Sequence, residues 1–249
     1  GKGDWLVREA HKYGGKVIAT VVNARHAKRA QDYGSDGVIA TGNEAAAHGE
    51  AVTSLVLIPS LVDAVEIPVI AAGGFADGRG LAAALALGAE GIAMGTRFMT
   101  TKDSPLHGNF KKLSIEKDVT DTLYSTRIDG IYCRVLKTEP AAKQIKKGLD
   151  LFSAFFNSQD ISKQLHMPYL KLMIGILASG WKNTRQMAYM ANGFKAFRLA
   201  TEEGDLVNGI LPVGQVTGLI HDEPTVAEVM DRIVAEAAEV QARLAAKMA

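Results

Sequence analysis

The chain has 249 residues, 47% of them hydrophobic and 22% charged, with a formal net charge of +1, the make-up of a globular α/β protein with one large domain or two small ones. Near-neutral charge with scattered Lys and Arg excludes a nucleic-acid footprint, and the single cysteine, Cys133, excludes an intrachain disulfide framework and a multi-cysteine metal site. No apolar stretch approaches the roughly 18 residues of a membrane span, so the expectation is a cytoplasmic protein with no membrane partner.

Residues 4–13 have helical spacing at Trp5, Leu6 and Ala10 and close on Gly14-Gly15. Lys16 to Val22 is a continuous β-branched run, as for a strand covered on both faces. Ala24 to Tyr33 is predicted helical with Gly34 as its stop, and Gly37 to Thr41 is the next buried strand. Pro59 is expected to open a helix reaching Val65, because its missing N–H is harmless in a first turn. Pro68 to Ala72 reads as a third strand, Asp77 as the cap of a helix from Arg79 to Leu87, and Gly91 to Met94 as a fourth strand. Short apolar strands alternating with helices predict a parallel sheet of β/α units.

After residue 104 the alternation stops. Pro105 to Lys117 reads as a helix, Thr122 to Leu136 as a strand pair turning at Asp129-Gly130, and Glu139 to Ala200 as several helices. Phe and Met between Phe152 and Met173 read as helix-packing core, with an apolar-substrate lining as the alternative. Gly204 to Gln215 is a glycine-rich loop, and Pro224 to Met248 is an amphipathic helix with Val226, Val229, Met230, Ile233 and Ala237 on one side.

Candidate chemistry lies at strand ends. Gly73 and Gly74 follow the third strand, and Gly95 and Thr96 the fourth. Glycine admits close backbone approach, and successive N–H groups form an anion cradle; the loops after the last two strands of an eight-stranded β/α barrel commonly hold a phosphate. The alternative is a tight turn and a packing glycine. His48 stands in "GNEAAAHGE", Gly42 to Glu50, just past the second strand. Its neighbours Ala45, Ala46, Ala47 and Gly49 offer no competing side-chain group. An acid/base role is weighed against a histidine that satisfies a backbone carbonyl. His26, His107, His166 and His221 lack partners at metal-ligand spacing, so no metal site is expected, and Cys133 reads as a small buried apolar residue.

The run "PVIAAGGFADGRGLAAALALGAEGIAMGTRF" (Pro68 to Phe98), preceded by Glu44, Ala45 and His48, resembles the nitronate monooxygenase family, formerly the 2-nitropropane dioxygenases. The family also includes NADH:quinone reductases and flavin-dependent enoyl-acyl-carrier-protein reductases. "GILPVGQVTGLIHDEP", ending at Pro224, resembles the family's closing segment. The resemblance is specific over residues 15–102, and general in character over 103–201.

The resemblance implies an FMN-binding (β/α)8 TIM barrel with a helical cap. Residues 1–104 would form the second half of the barrel, 105–203 a mostly helical cap or insertion domain, and 204–249 a return segment with a C-terminal helix packing on the barrel. The family's opening flavin segment has no counterpart, and the chain starts without Met inside a helix–strand unit; an N-terminal segment supplying the other strands is therefore expected to be missing. Carried over by position, His48 would be catalytic. Gly73, Gly74, Gly95 and Thr96 would hold the FMN phosphate, Ala46 and Ala47 would leave room for the isoalloxazine, and Gln215 with Gly214 would close over it. Thr20 and Thr41, at strand ends, would be further flavin contacts. "EAAAH" replaces the family's commoner "EAGGH", which adds a Cβ near the flavin. No strand-bound G-x-G-x-x-G is present for a dinucleotide, which favours FMN over FAD.

The implied activity is oxidation of alkyl nitronates with O2. One alternative is NAD(P)H-driven reduction of a quinone or an enoyl thioester, and another is a flavinless binding or scaffold subunit. The expected partners are a small-molecule substrate with O2 or NAD(P)H, and a homo-oligomer is compatible with all of this.

Overall fold

The computed structural model describes residues 2–46, 48–164, 166 and 168–249. It opens with α1 (Lys2–His11), β1 (Ile18–Val21), α2 (Ala24–Asp32), β2 (Gly37–Thr41), α3 (Ser54–Val62), β3 (Val69–Ala72), α4 (Gly78–Ala86) and β4 (Gly91–Ala93). The strands pair in chain order, all parallel, so their C-terminal ends lie along one edge. Parallel neighbours cannot be joined by a tight turn, and α2, α3 and α4 are the crossovers that join them. These are consecutive units of the (β/α) barrel type, the α/β class that the alternation of elements predicts.

Side-chain alternation decides what each face does. Val38, Ala40, Val69 and Ala71 pack in one buried core with Leu57, Ile58 and Leu61 of α3 and Ala84 of α4. Ile39, Thr41 and Ala72 consequently point to the opposite face, with Thr41 in register with Ala72. Helices thus cover one side of the sheet, and the strand ends on the other side are free to hold a ligand.

Pro59 does not open α3. The helix begins at Ser54, with Pro59 inside it. An interior proline costs about 3 kcal/mol, but starting earlier buries Leu57, Ile58 and Leu61 almost completely, and each is worth roughly 1.5–3 kcal/mol. Burial wins. Asp77 does cap α4, accepting the Gly80 N–H at 3.2 Å. At the chain start, α1 turns Val7 and Ala10 inward and leaves Trp5 and Leu6 exposed.

The remaining chain forms α5 (Thr96–Met99), α6 (Gly108–Ile115), β5 (Thr122–Ser125), β6 (Cys133–Leu136), α7 (Glu139–Lys147), α8 (Leu151–Gln164), α9 (Tyr169–Ala178), α10 (Trp181–Thr201) and α11 (Val226–Met248). β5 and β6 pair antiparallel as a hairpin. α11 starts with a capping box between Thr225 and Glu228 and buries Val229, Ile233 and Ala237, while Val226 and Met230 stay exposed. The phenylalanines of α8 are not core. Phe152, Phe155 and Phe156 are exposed and meet one another edge to face. The close contact of α8 with α10 is made by the small residues Ala154, Ala188 and Ala191, which let the helices approach and leave the rings outside. Among the described residues, no helix is long and apolar enough to cross a membrane.

Candidate active site

At the C-terminal ends of β1 to β4 lies a cavity of about 490 Å³, inside the roughly 300–1,000 Å³ range of small-molecule and cofactor sites. Thr20, Thr41, Ala72 and Ala93 form its floor, the Gly73-Gly74 and Gly95-Thr96 turns one wall, and Phe194 and Phe197 of α10 an apolar wall. Ala46, His48, Asp129 and Cys133 complete it, with Gly214 closing from the far end of the chain.

The loop that carries His48 is clamped from several directions. Ser54 donates from its N–H and its hydroxyl to the Glu44 carboxylate at 3.0 Å. Thr53 caps α3 without a side-chain bond, so Glu44 supplies the missing acceptor and places its negative charge at the helix N-terminus. Ser54 Oγ also lies 2.7 Å from the Gly73 carbonyl, tying this loop to the end of β3. From the hairpin, Arg134 donates through Nη2 to the Asn43 carbonyl at 3.0 Å and to Asn43 Oδ1 at 2.7 Å. The Tyr124 hydroxyl donates to the Gly49 carbonyl. Arg134 is buried, which pulls its guanidinium pKa down; its place over the Tyr124 ring and its carbonyl acceptors hold the cation there.

These clamps bring His48 against Asp129. His48 Nε2 lies 2.7 Å from Asp129 Oδ2, at hydrogen-bond distance; the carboxylate is only 3% exposed and the imidazole 47%. Asp129 Oδ1 accepts the Ile131 N–H at 3.2 Å. Cys133 lies beside the pair, and its thiol donates to the Ala46 carbonyl at 3.6 Å. Burial, helped by the nearby Asp129 charge, pushes the Cys133 thiol up to about 12. The His48, Asp129 and Cys133 ligand atoms all lie within 4.8 Å of one another. The His48–Asp129 separation is a hydrogen-bond length and the thiol keeps its proton at neutral pH, so the group reads as a hydrogen-bonded dyad beside a neutral thiol.

Of the residues singled out from sequence, Thr20, Thr41, Ala46, His48, Gly73, Gly74, Gly95 and Thr96 all line this one cavity. Ala47 lies outside the described residues. Gln215 is not in the lining; its N–H donates to the Glu44 carbonyl at 2.9 Å, so it braces the loop from behind. Thr96 Oγ1 accepts the Gly214 N–H at 3.0 Å and keeps its own proton to donate. Gly73 and Gly74 have φ of 96° and 86°, the left-handed region that favours glycine. Gly95 has an ordinary negative φ, and a Cβ there would meet nothing within 4 Å, which leaves room against this turn.

Sequence reasoning missed Asp129, Phe194 and Phe197. Asp129-Gly130 carries an ordinary turn signature, and nothing local separates a turn aspartate from one aimed at a histidine 81 residues away. The two phenylalanines sat in a helix read only for packing.

A sequence model described as nitronate monooxygenase matches residues 2–236. The chain belongs to the nitronate monooxygenase family. At the level of the family it is an oxidoreductase. It is 38% identical over 237 residues to a (3aS,4S,5R,7aS)-5-hydroxy-7a-methyl-1-oxo-octahydro-1H-indene-4-carboxyl-CoA dehydrogenase of Rhodococcus jostii, covering 93% of this chain and 67% of that protein. A probable nitronate monooxygenase of Staphylococcus saprophyticus is 37% identical over 135 residues, 50% of this chain and 38% of that one. Among solved structures, FabK from Thermotoga maritima superposes with a TM-score of 0.75 at 33% identity, covering 99% of this chain and 68% of that one. The chain thus spans about two thirds of the length of the relatives that match more than nine-tenths of it.

Proposed function

We propose that the protein is an FMN-dependent oxidoreductase that acts on a carbon acid, with His48 as the base. The observation that carries this is a histidine held by a buried carboxylate at the mouth of a glycine-edged, largely apolar cavity. The residues present fit a flavin. Ala46, Ala72 and Ala93 leave the cavity broad, the turns at Gly73-Gly74 and Gly95-Thr96 offer backbone N–H groups for a phosphate, and the space beside Gly95 is one that a Cβ would enter. Bound FMN would supply the two-electron redox chemistry.

The chain's own part is proton removal, orientation and exclusion of water. His48, in its neutral form, takes a proton from carbon next to an electron-withdrawing group. A thioester and a nitro group both acidify that carbon, because their oxygens take up the developing charge. Phe194 and Phe197 would hold the hydrocarbon part of the substrate and keep water off it. An acyl-CoA thioester is the favoured substrate class, because similarity to the carboxyl-CoA dehydrogenase covers 93% of this chain. Oxidation of alkyl nitronates with O2 is the second reading, favoured by the family model and by the probable nitronate monooxygenase that matches half of this chain.

The test is the absorption spectrum of the purified protein, with the cofactor released and identified by mass, followed by anaerobic mixing with a saturated acyl-CoA, with NADH, or with ethyl nitronate. Bleaching of the flavin by the acyl-CoA supports the first reading; bleaching by NADH supports the same chemistry run as a reduction. Bleaching by the nitronate alone supports the second reading. A colourless preparation of the full-length protein that cannot be reconstituted with FMN overturns both.

A further inference from the structure

We infer that Asp129 is a positioning residue that fixes His48 as the Nε2–H tautomer and makes Nδ1 the atom that takes the substrate proton. The catalytic half of this rests on the base role proposed above; the tautomer half stands on geometry alone. A carboxylate only accepts hydrogen bonds. At 2.7 Å from Asp129 Oδ2, His48 Nε2 therefore carries the proton, and the lone pair of the neutral ring lies on Nδ1. Among the described residues Nδ1 has no hydrogen-bond partner. It is the free nitrogen of a ring that lines the cavity.

The surroundings are arranged to keep that choice. Asp129 Oδ1 is occupied by the Ile131 N–H, which stops the carboxylate from turning away. Gly130 beside it has φ of 90°, so the backbone that aims the carboxylate is a glycine turn of the β5–β6 hairpin. The Cys133 thiol, the other group that could offer a proton to the carboxylate, donates to the Ala46 carbonyl instead. Arg134, next in β6, spends its donors on Asn43 and Thr122 and forms no ion pair with Asp129. The carboxylate is left facing one imidazole.

Replacing Asp129 with Asn should invert the tautomer. The amide oxygen is drawn to the Ile131 N–H, which turns the amide NH2 toward His48 Nε2. Two donors cannot face each other at hydrogen-bond distance, so the ring must move its proton to Nδ1 and accept at Nε2. The base is then blocked while the histidine remains in place.

The experiment uses the flavin-loaded protein with both ring nitrogens of histidine labelled with 15N; His48→Gln identifies which of the six histidine signals belongs to His48. The expected wild-type spectrum at a pH where the ring is neutral has a pyridine-like Nδ1 and a pyrrole-like Nε2. In Asp129→Asn the two should exchange, and kcat with butyryl-CoA or nitroethane should fall roughly a hundredfold, the lower end of what general-base help is worth, with KM within about threefold. Asp129→Glu, which keeps an acceptor, should retain the wild-type tautomer. A wild-type His48 protonated on Nδ1, or an Asp129→Asn variant that binds flavin and keeps Nε2–H, overturns the inference and leaves the base role standing. If Asp129→Asn does not fold, the wild-type spectrum alone decides. An exchanged tautomer with unchanged turnover overturns instead the base role of His48, and with it the catalytic half of the inference.

Discussion

Ile58 and Phe152 mark the difference between two regions of this molecule. Ile58, in α3, is fully buried among the strands and helices of the β/α units, whereas Phe152, in α8, is 76% exposed although its side chain is larger. In the first region β1, β2 and β3 each share a core with the helix that follows. In the second, α8 and α10 touch through alanines, and the large side chains cluster on the outside. Apolar composition is therefore a poor guide to rigidity here. The glycine turns stand on the packed region, while the hairpin and α10 contribute Asp129, Phe194 and Phe197 to the same cavity. The dyad spans the two, so a change on either side should read out differently.

The largest expected effect tests the dyad itself. His48→Asn should bind flavin normally and lose about a hundredfold to ten-thousandfold in turnover of a neutral carbon acid such as nitroethane. Ethyl nitronate, already ionised, needs no base and should be much less affected. Steady-state kinetics on the two substrates checks this, and an equal loss on both would assign His48 to substrate placement.

Within the packed region, Ile58→Ala should cost about 2–5 kcal/mol of folding stability, since α3 has little room to collapse around the cavity. Phe152→Ser should change stability by no more than about 0.5 kcal/mol. Urea denaturation of the two variants, followed by circular dichroism, sharpens the contrast; comparable losses would mean that the α8 rings are covered in solution.

Gly95→Val tests the cradle without straining the chain, because its φ is negative and its Cβ position is open. Crowding of the bound phosphate by about 1–3 kcal/mol corresponds to a roughly fivefold to 150-fold weaker flavin, measurable by fluorescence titration. Substitution at Gly74 would be harder to interpret, since its positive φ strains any side chain whether or not a ligand is there.

The smallest effect concerns Cys133. With its thiol pushed up to about 12 by burial, it should resist iodoacetamide at pH 8 in the native protein and react readily in urea. A thiol whose pKa is raised on folding binds its proton more tightly in the native state. Its contribution is fully present below pH 9, the ordinary value, and is lost as the pH rises through about 12. Fast alkylation of the native protein would show that the hairpin opens and would remove the distinction between a held dyad and a mobile one.

Much of the packed region was legible in the chain. Strand runs such as Gly37 to Thr41, the Asp77 cap and the glycines after β3 and β4 depend on contacts within a few residues, and the structure realises them. Pro59 misled because its local preference was outweighed by the burial of Leu57, Ile58 and Leu61. The Phe-rich run misled for the opposite reason: it has the composition of a core, but the neighbouring helices approach through smaller side chains.

By itself the sequence determined the β/α alternation, the glycine turns at the strand ends and a histidine in the loop after β2, because period, cap and turn chemistry are written over short distances. The tertiary structure alone decided that His48 meets Asp129, that Gln215 braces the loop rather than lining the cavity, and that α10 supplies an aromatic wall. Those relations join residues far apart in the chain. An aspartate in a turn has the same local preferences whether its carboxylate faces water or an imidazole, and only the folding of the hairpin over the ends of the strands tells the two apart.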